Sequence, residues 1–265
     1  MMNNLHLHVP YQHLAARMNF ILERKINPEI FFSAGSLERA EKREIAALAD
    51  TIRSASLPAT IHAPFLDLNP GAIDPTIREA TKKRFMQLFE IAEIFRPRVI
   101  VFHPGFDELR YGDNRKAWLD NSIAFWGEFI PLAEELGTVI AIENIFEKEP
   151  STLLELLSAI DNPLFRHCFD TGHWNMFATV TLEEWFELLG GFIAEAHIHD
   201  NHGTADEHLP VGEGDIDFGR FFSLLGRYAP DAVRTVELHT LDRIERGLRS
   251  VARFIPLKAT FPDGN

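Results

Sequence analysis

Residues 99–105 read Val-Ile-Val-Phe-His-Pro-Gly. Four apolar residues, three of them β-branched, leave no polar–apolar alternation. The run therefore reads as a strand buried on both faces, as strands of a parallel sheet are. It stops at a histidine followed by a turn-forming Pro-Gly pair. The same plan recurs in both directions. Thr60–His62 ends in His62-Ala63-Pro64, and Val139–Ile142 ends in Glu143-Asn144. Arg166–Phe169 runs into Asp170-Thr171-Gly172-His173, and Glu195–Ile198 runs into His199-Asp200-Asn201. Thr235–Leu238 carries Glu237, and Leu5–Val9 and Glu29–Phe32 complete a set of eight.

Helical stretches with caps lie between these runs. Asp74-Pro75 places an N-cap before a proline at the first helical position, and an amphipathic run follows to Phe95. Thr181 and Glu184 form a capping box for a helix ending near Gly190 and Gly191. Asp217 caps a helix to about Gly226, and Leu37–Ser54 and Ser151–Ile160 read as helices too. Pro10–Phe20 and Ser33–Leu37 read as the loops after the first two strands. Strand and helix alternating eight times predict an α/β chain folded as a single-domain (β/α)8 TIM barrel over residues 1–265. The alternative, an open doubly wound sheet, lacks a Gly-rich dinucleotide fingerprint after any early strand.

Composition bounds the function. The chain has 265 residues, 46% of them hydrophobic, enough for one large core. Its net charge of -13 opposes long-range attraction to nucleic acid or anionic membrane. A single cysteine, Cys168, excludes a disulfide framework and a Cys-based zinc module, and reads as a buried small hydrophobe. With no signal-peptide pattern and no apolar run of ~20 residues, the expected location is the cytoplasm.

In a (β/α)8 barrel the C-terminal ends of all strands meet on one face. Strands three to eight would each deliver an imidazole or carboxylate there: His62, His103, Glu143, Asp170, His197 and Glu237, spaced by 41, 40, 27, 27 and 40 positions. The loops add His173, Asp206 and His208. Any one of these alone reads as a structural histidine or a loop cap. Nine in phase with the strand ends read as a metal site. Without thiolates the set suits zinc, manganese or cobalt.

The series HAP, FHPG, IEN, FDTGH, HIHDN, DEHLPVGEG and VELH resembles the xylose-isomerase-like TIM-barrel superfamily from about Leu5 to Leu248. That group holds sugar and sugar-phosphate isomerases and epimerases together with endonuclease IV-type AP endonucleases (AP endonuclease family 2). The epimerase branch implies a quartet on one ion, matched by Glu143, Asp170, His197 and Glu237, with Glu143 and Glu237 also acting as acid and base. The endonuclease branch implies three zinc ions on all nine residues, which this sequence also carries.

The resemblance thus implies a divalent-metal-dependent isomerase or epimerase of a sugar or sugar phosphate, binding one to three ions of zinc or manganese. The alternatives are zinc-dependent phosphodiester hydrolysis at abasic DNA and a metal-bearing barrel that binds carbohydrate without turnover. A small carbohydrate is the expected partner and no membrane is expected; nucleic acid is disfavoured by the charge but stays open through the endonuclease branch. His199 and His202 are further candidates for sugar contacts, and Trp174, Met176 and Phe177 for the pocket wall. His6 and His8 read chiefly as barrel-interior residues. Arg243, Arg246 and Arg249 read as a solvated helix face, and Arg96 and Arg98 fall at the far end of the barrel.

Overall fold

The computed structural model describes residues 4–255. Eight parallel strands close a barrel in chain order: β1 Leu5–Pro10, β2 Asn27–Phe31, β3 Thr60–His62, β4 Val99–Phe102, β5 Val139–Glu143, β6 Phe165–Asp170, β7 Ile193–Ile198 and β8 Val233–Val236. Around it run α1 Tyr11–Arg24, α2 Ala34–Arg39, α3 Lys42–Ser54, α4 Pro75–Phe95, α5 Glu108–Tyr111, α6 Arg115–Leu136, α7 Ser151–Ile160, α8 Thr171–Phe177, α9 Leu182–Leu189, α10 Phe218–Tyr228 and α11 Leu241–Val251. The expected (β/α)8 barrel is present.

The caps act as their sequences dictate. Asp74 accepts from Thr76 N at 2.8 Å, with Pro75 opening α4. Thr181 and Glu184 close a capping box on α9, and Asp217 accepts from Arg220 N at 2.9 Å. Three expectations need correction. Residues 10–20 are no loop, because α1 begins at Tyr11 and buries Tyr11, Leu14, Met18 and Ile21 at helical spacing. Residues 33–37 enter α2, whose N-cap is Ser33. Residues 37–54 are two helices, because Ala40 and Glu41 are extended; α2 buries Ser36 and Leu37 while α3 buries Ile45, Ala49 and Ile52.

Strand parity explains how the barrel positions its mouth. Successive side chains alternate between the helix side and the barrel interior. Val99, Val101, Ala141, Cys168 and Val233 form an interior apolar cluster, separate from the large core between strands and helices. Two residues above Val101, Ala141 and Cys168 on the same parity stand His103, Glu143 and Asp170. The same step leads from Thr60 to His62, from Glu195 to His197 and from Thr235 to Glu237. The interior is polar on the other strands. Glu195 Oε1 accepts from Thr60 Oγ1 at 3.3 Å and Thr235 Oγ1 at 2.5 Å, and its burial holds the carboxyl pKa well above the usual range.

Candidate metal and active site

Asn144 ties two strand ends together at the mouth. Its Nδ2 donates to Asp170 O at 3.0 Å, and its Oδ1 accepts from Asp170 N at 2.8 Å. Asp170 also caps α8, accepting from His173 N at 2.6 Å, which fixes His173 one turn away. Asp200 organises the loop after β7. Its carboxylate accepts from the backbone N–H of Asn201, Gly212, Gly214 and Ile216 at 2.9–3.2 Å. Asp200 also pairs in antiparallel fashion with Leu209, which brings Asp206 and His208 back over the barrel.

All nine sequence candidates meet in this region. His62, His103, Glu143, His173, Asp206, His208 and Glu237 line a cavity of about 820 Å3, with Asp170 and His197 fully buried beneath. Glu143 is the hub. Its Oε2 lies 3.2 Å from His62 Nε2, 3.4 Å from His103 Nε2 and 3.5 Å from His197 Nδ1, and its Oε1 lies 3.1 Å from His173 Nδ1. His197 Nδ1 is also 3.2 Å from Glu237 Oε2 and 3.8 Å from Asp170 Oδ2. His208 Nε2 pairs with Asp206 Oδ2 at 2.9 Å.

Burial alone would raise the carboxyl pKa of Glu143, but His197, His103 and His173 hold it well below the usual range. Glu237 is likewise held down against its burial, chiefly by His8 and His197. Burial also disfavours charge on His173 and His208, yet surrounding carboxylates, Asp170 and Glu143 for the first and Asp206 and Glu237 for the second, push them up to about 10 and about 9.

The donor set fits a divalent ion. With Nε2 held against Glu29 Oε2 at 2.9 Å, Nδ1 is the ring nitrogen that faces three carboxylates, and a bound ion there would take the place of the proton that those carboxylates favour. That buried atom has no hydrogen-bond partner, and neither does His199 Nδ1. Bonds of ~2.0–2.2 Å in a tetrahedral site separate donor atoms by about 3.3–3.6 Å. The three carboxylate oxygens lie 3.2–3.8 Å from His197 Nδ1. Several further triads of ligand atoms, His199–His208–Glu237 and Glu143–Asp170–His173 among them, also lie within 4.8 Å of one another.

Several weaker expectations resolve differently. His199 joins the site: its Nε2 is 3.1 Å from Asp170 Oδ2, and its ring stacks on His208 at 4.0 Å. His202 does not, because it is exposed and pairs with Glu207 at 2.8 Å. Met176 and Phe177 wall the cavity, whereas Trp174 packs against the core. His6 lies in the barrel interior, while His8 lines the cavity. Arg246 and Arg249 sit on an exposed face, but Arg243 does not belong with them. Its Nη1 donates to Glu207 O and His208 O at 2.5 and 3.1 Å, fastening the loop that carries Asp206 and His208.

Other site residues gave no motif. Glu29 bridges His8 Nδ1 at 2.8 Å and His197 Nε2 at 2.9 Å, and its only sequence signal is a carboxylate inside a strand buried on both faces. Burial would raise the Glu29 carboxyl, but the two imidazoles hold it well below its usual range. Glu147 accepts from Ile145 N at 2.7 Å, and burial lifts its carboxyl to about 7. Phe31, Phe65 and His239 also face the cavity.

No helix among the described residues is long and apolar enough to cross a membrane. Known proteins agree with the architecture. An uncharacterised protein of Methanocaldococcus jannaschii, MJ1311, is 32% identical over 184 residues, covering 67% of this chain and 63% of that relative's length. A D-tagatose 3-epimerase-like protein superposes with a TM-score of 0.80 at 26% identity, over 94% of this chain and 96% of its own. A Thermus thermophilus protein, TTHB071, soaked with zinc chloride, superposes with a TM-score of 0.80 at 22% identity, over 96% and 98% of the two chains. The sequence profile of the xylose isomerase-like TIM barrel matches residues 29–256, and it is to this family that the chain belongs.

Proposed function

We propose that this protein is a divalent-metal-dependent isomerase or epimerase of a carbohydrate, working by proton transfer at the carbon next to a carbonyl. The observation that carries the reading is the unpartnered His197 Nδ1 facing Glu143, Asp170 and Glu237 beneath a walled cavity. These four residues would hold the ion. When bound, a divalent ion supplies Lewis-acid polarisation of a substrate carbonyl and its neighbouring hydroxyl.

The remaining chemistry belongs to the chain. Glu143 and Glu237 are ionised groups on strands three apart around the barrel. One takes the proton from the carbon beside the carbonyl and, now a carboxylic acid, can return it to the enediolate; the other returns a proton to the opposite face only after taking one up from solvent or a substrate hydroxyl. His173 and His208, positively charged beside their carboxylates, donate to substrate hydroxyls and to the developing oxyanion. Phe31, Phe65 and Phe106 exclude water from the reacting face.

The convergence of His62, His103 and His173 around Glu143, with Asp206 against His173 and His208, favours a second reading, zinc-dependent phosphodiester hydrolysis with two or three ions. Against it, Arg110 is the lone Lys or Arg lining the cavity among the described residues, where a DNA-binding mouth needs a basic rim. The test is incubation of the metal-loaded protein in D2O with a panel of ketoses and aldoses. Deuterium should enter at the carbon next to the carbonyl, and Glu143→Gln and Glu237→Gln should each lower turnover by ~10²-fold or more. Chelator-sensitive cleavage of an abasic-site duplex at catalytic enzyme levels, with no exchange on any sugar, overturns the proposal.

A further inference from the structure

The side of the cavity formed by β7, β8 and β1 presents Asp206, His208, Glu237, His239 and His8. The segments after β3, β4 and β5 add exposed apolar side chains among the polar ones. Leu66 is 77% exposed, Phe146 47% and Ile77 43%, and all three line the same cavity as the ligand cluster. Three of the nine large exposed apolar side chains among the described residues therefore line one mouth. Scattered apolar residues on a surface need no explanation, but a contiguous patch marks a binding surface.

Size and charge narrow the occupant. At about 820 Å3 the cavity lies toward the top of the ~300–1,000 Å3 range that takes drug-sized ligands, more than one sugar ring fills. A phosphate would need cations or free N–H donors. Nearby cations are engaged: Lys148 pairs with Glu108 at 2.7 Å, Arg243 holds backbone carbonyls, and the charge of His173 and His208 is balanced by Glu143, Asp170, Asp206 and Glu237. Arg110 shares the wall with Asp67 and Asp107, which repel a phosphate. We propose that the substrate is a carbohydrate bearing an apolar substituent, an alkyl or aryl ether or glycoside. Its oxygen-rich end lies on the His–carboxylate cluster and its substituent against Leu66, Ile77 and Phe146. This rests on the isomerase or epimerase reading and adds the substrate class to it.

The test compares D-fructose, D-fructose 6-phosphate and 6-O-benzyl-D-fructose as substrates for deuterium exchange from D2O by the metal-loaded protein. The benzyl ether should exceed both others in kcat/KM by roughly tenfold or more, the scale of a filled apolar pocket. Leu66→Asp and Phe146→Ala alter exposed side chains, and each should pull the ratio of benzyl ether to free ketose toward one. Exchange with the free or phosphorylated ketose at an equal or higher kcat/KM overturns the substrate class and leaves the reaction standing. No exchange on any of the three, nor on a wider ketose and aldose panel, removes the reaction itself and the substrate class with it. A monomer–dimer shift in sedimentation caused by Leu66→Asp, with the substrate ratio unchanged, assigns the apolar surface to a second copy and overturns the proposal.

Discussion

Glu29 offers a sharp test of how the metal ligand His197 would be held. Its two oxygens accept from His8 Nδ1 at 2.8 Å and His197 Nε2 at 2.9 Å, with both partners buried. The second bond fixes the proton on Nε2 and turns Nδ1 toward Glu143, Asp170 and Glu237. Removing a partner of this kind behind a metal-ligating histidine weakens metal binding ~10–100-fold, or about 1.4–2.8 kcal/mol. Glu29→Leu removes both acceptors and should show the full loss. Glu29→Gln keeps one acceptor. If the amide oxygen faces His197, only His8 must change its tautomer, so the loss should be smaller. The assay is competition for Zn2+ or Co2+ against a fluorescent chelator, with the melting temperature of the metal-free protein as the control for folding. Leaving buried imidazole N–H groups without acceptors costs about 1–3 kcal/mol each, so a lower melting temperature is expected in its own right. A folded Glu29→Leu protein that binds the ion as tightly as the wild type refutes the reasoning. A loss in Glu29→Gln as large as in Glu29→Leu refutes the tautomer argument.

His167 donates from Nδ1 to Ile142 O at 2.8 Å and accepts at Nε2 from Trp185 Nε1 at 3.3 Å, and burial lowers its pKa to about 4. The unfolded chain takes up that proton below about 6.5 while the folded one does not. Stability is therefore full above pH 6.5 and falls toward pH 4, by about 2 kcal/mol at pH 5 from this residue. His167→Gln preserves one donor and one acceptor and should flatten the drop in melting temperature between pH 7 and 5; an unchanged drop contradicts the assignment. Arg243→Met keeps the stem but loses the bonds to Glu207 O and His208 O. Sugar turnover should fall roughly tenfold, about 1.4 kcal/mol in kcat/KM, with the melting temperature of the metal-free protein nearly unmoved. A Cβ at Gly172 would overlap the His199 ring, so Gly172→Ala should displace His199 from Asp170 and cost ~1–3 kcal/mol of stability, read by denaturant melts.

The barrel was legible because its strands announce themselves twice. Val99–Phe102 is apolar throughout, and its next residue, His103, has the parity of Val101 and so faces the barrel interior. The same parity places Glu143 above Ala141 and Asp170 above Cys168. That is why a polar residue at a strand end could be read as a site residue before any coordinates. Glu29 obeys the same parity, but it sits inside β2 rather than past its end, so it carries no strand-end signal. Arg243 was hidden for a different reason. It shares the helical spacing of Arg246 and Arg249, and only the return of the 206–208 loop over α11 distinguishes it. The break between α2 and α3 has no glycine or proline, so local sequence could not announce it. Strand ends thus carry their meaning in local pattern, while the residues that orient them depend on contacts between distant segments. Glu29 reaches His197 across 168 positions of chain, and no window of sequence spans that pair. The candidate ligand set is consequently the part of the proposed site that sequence describes best, and the groups that aim it are the part that only the closed barrel reveals.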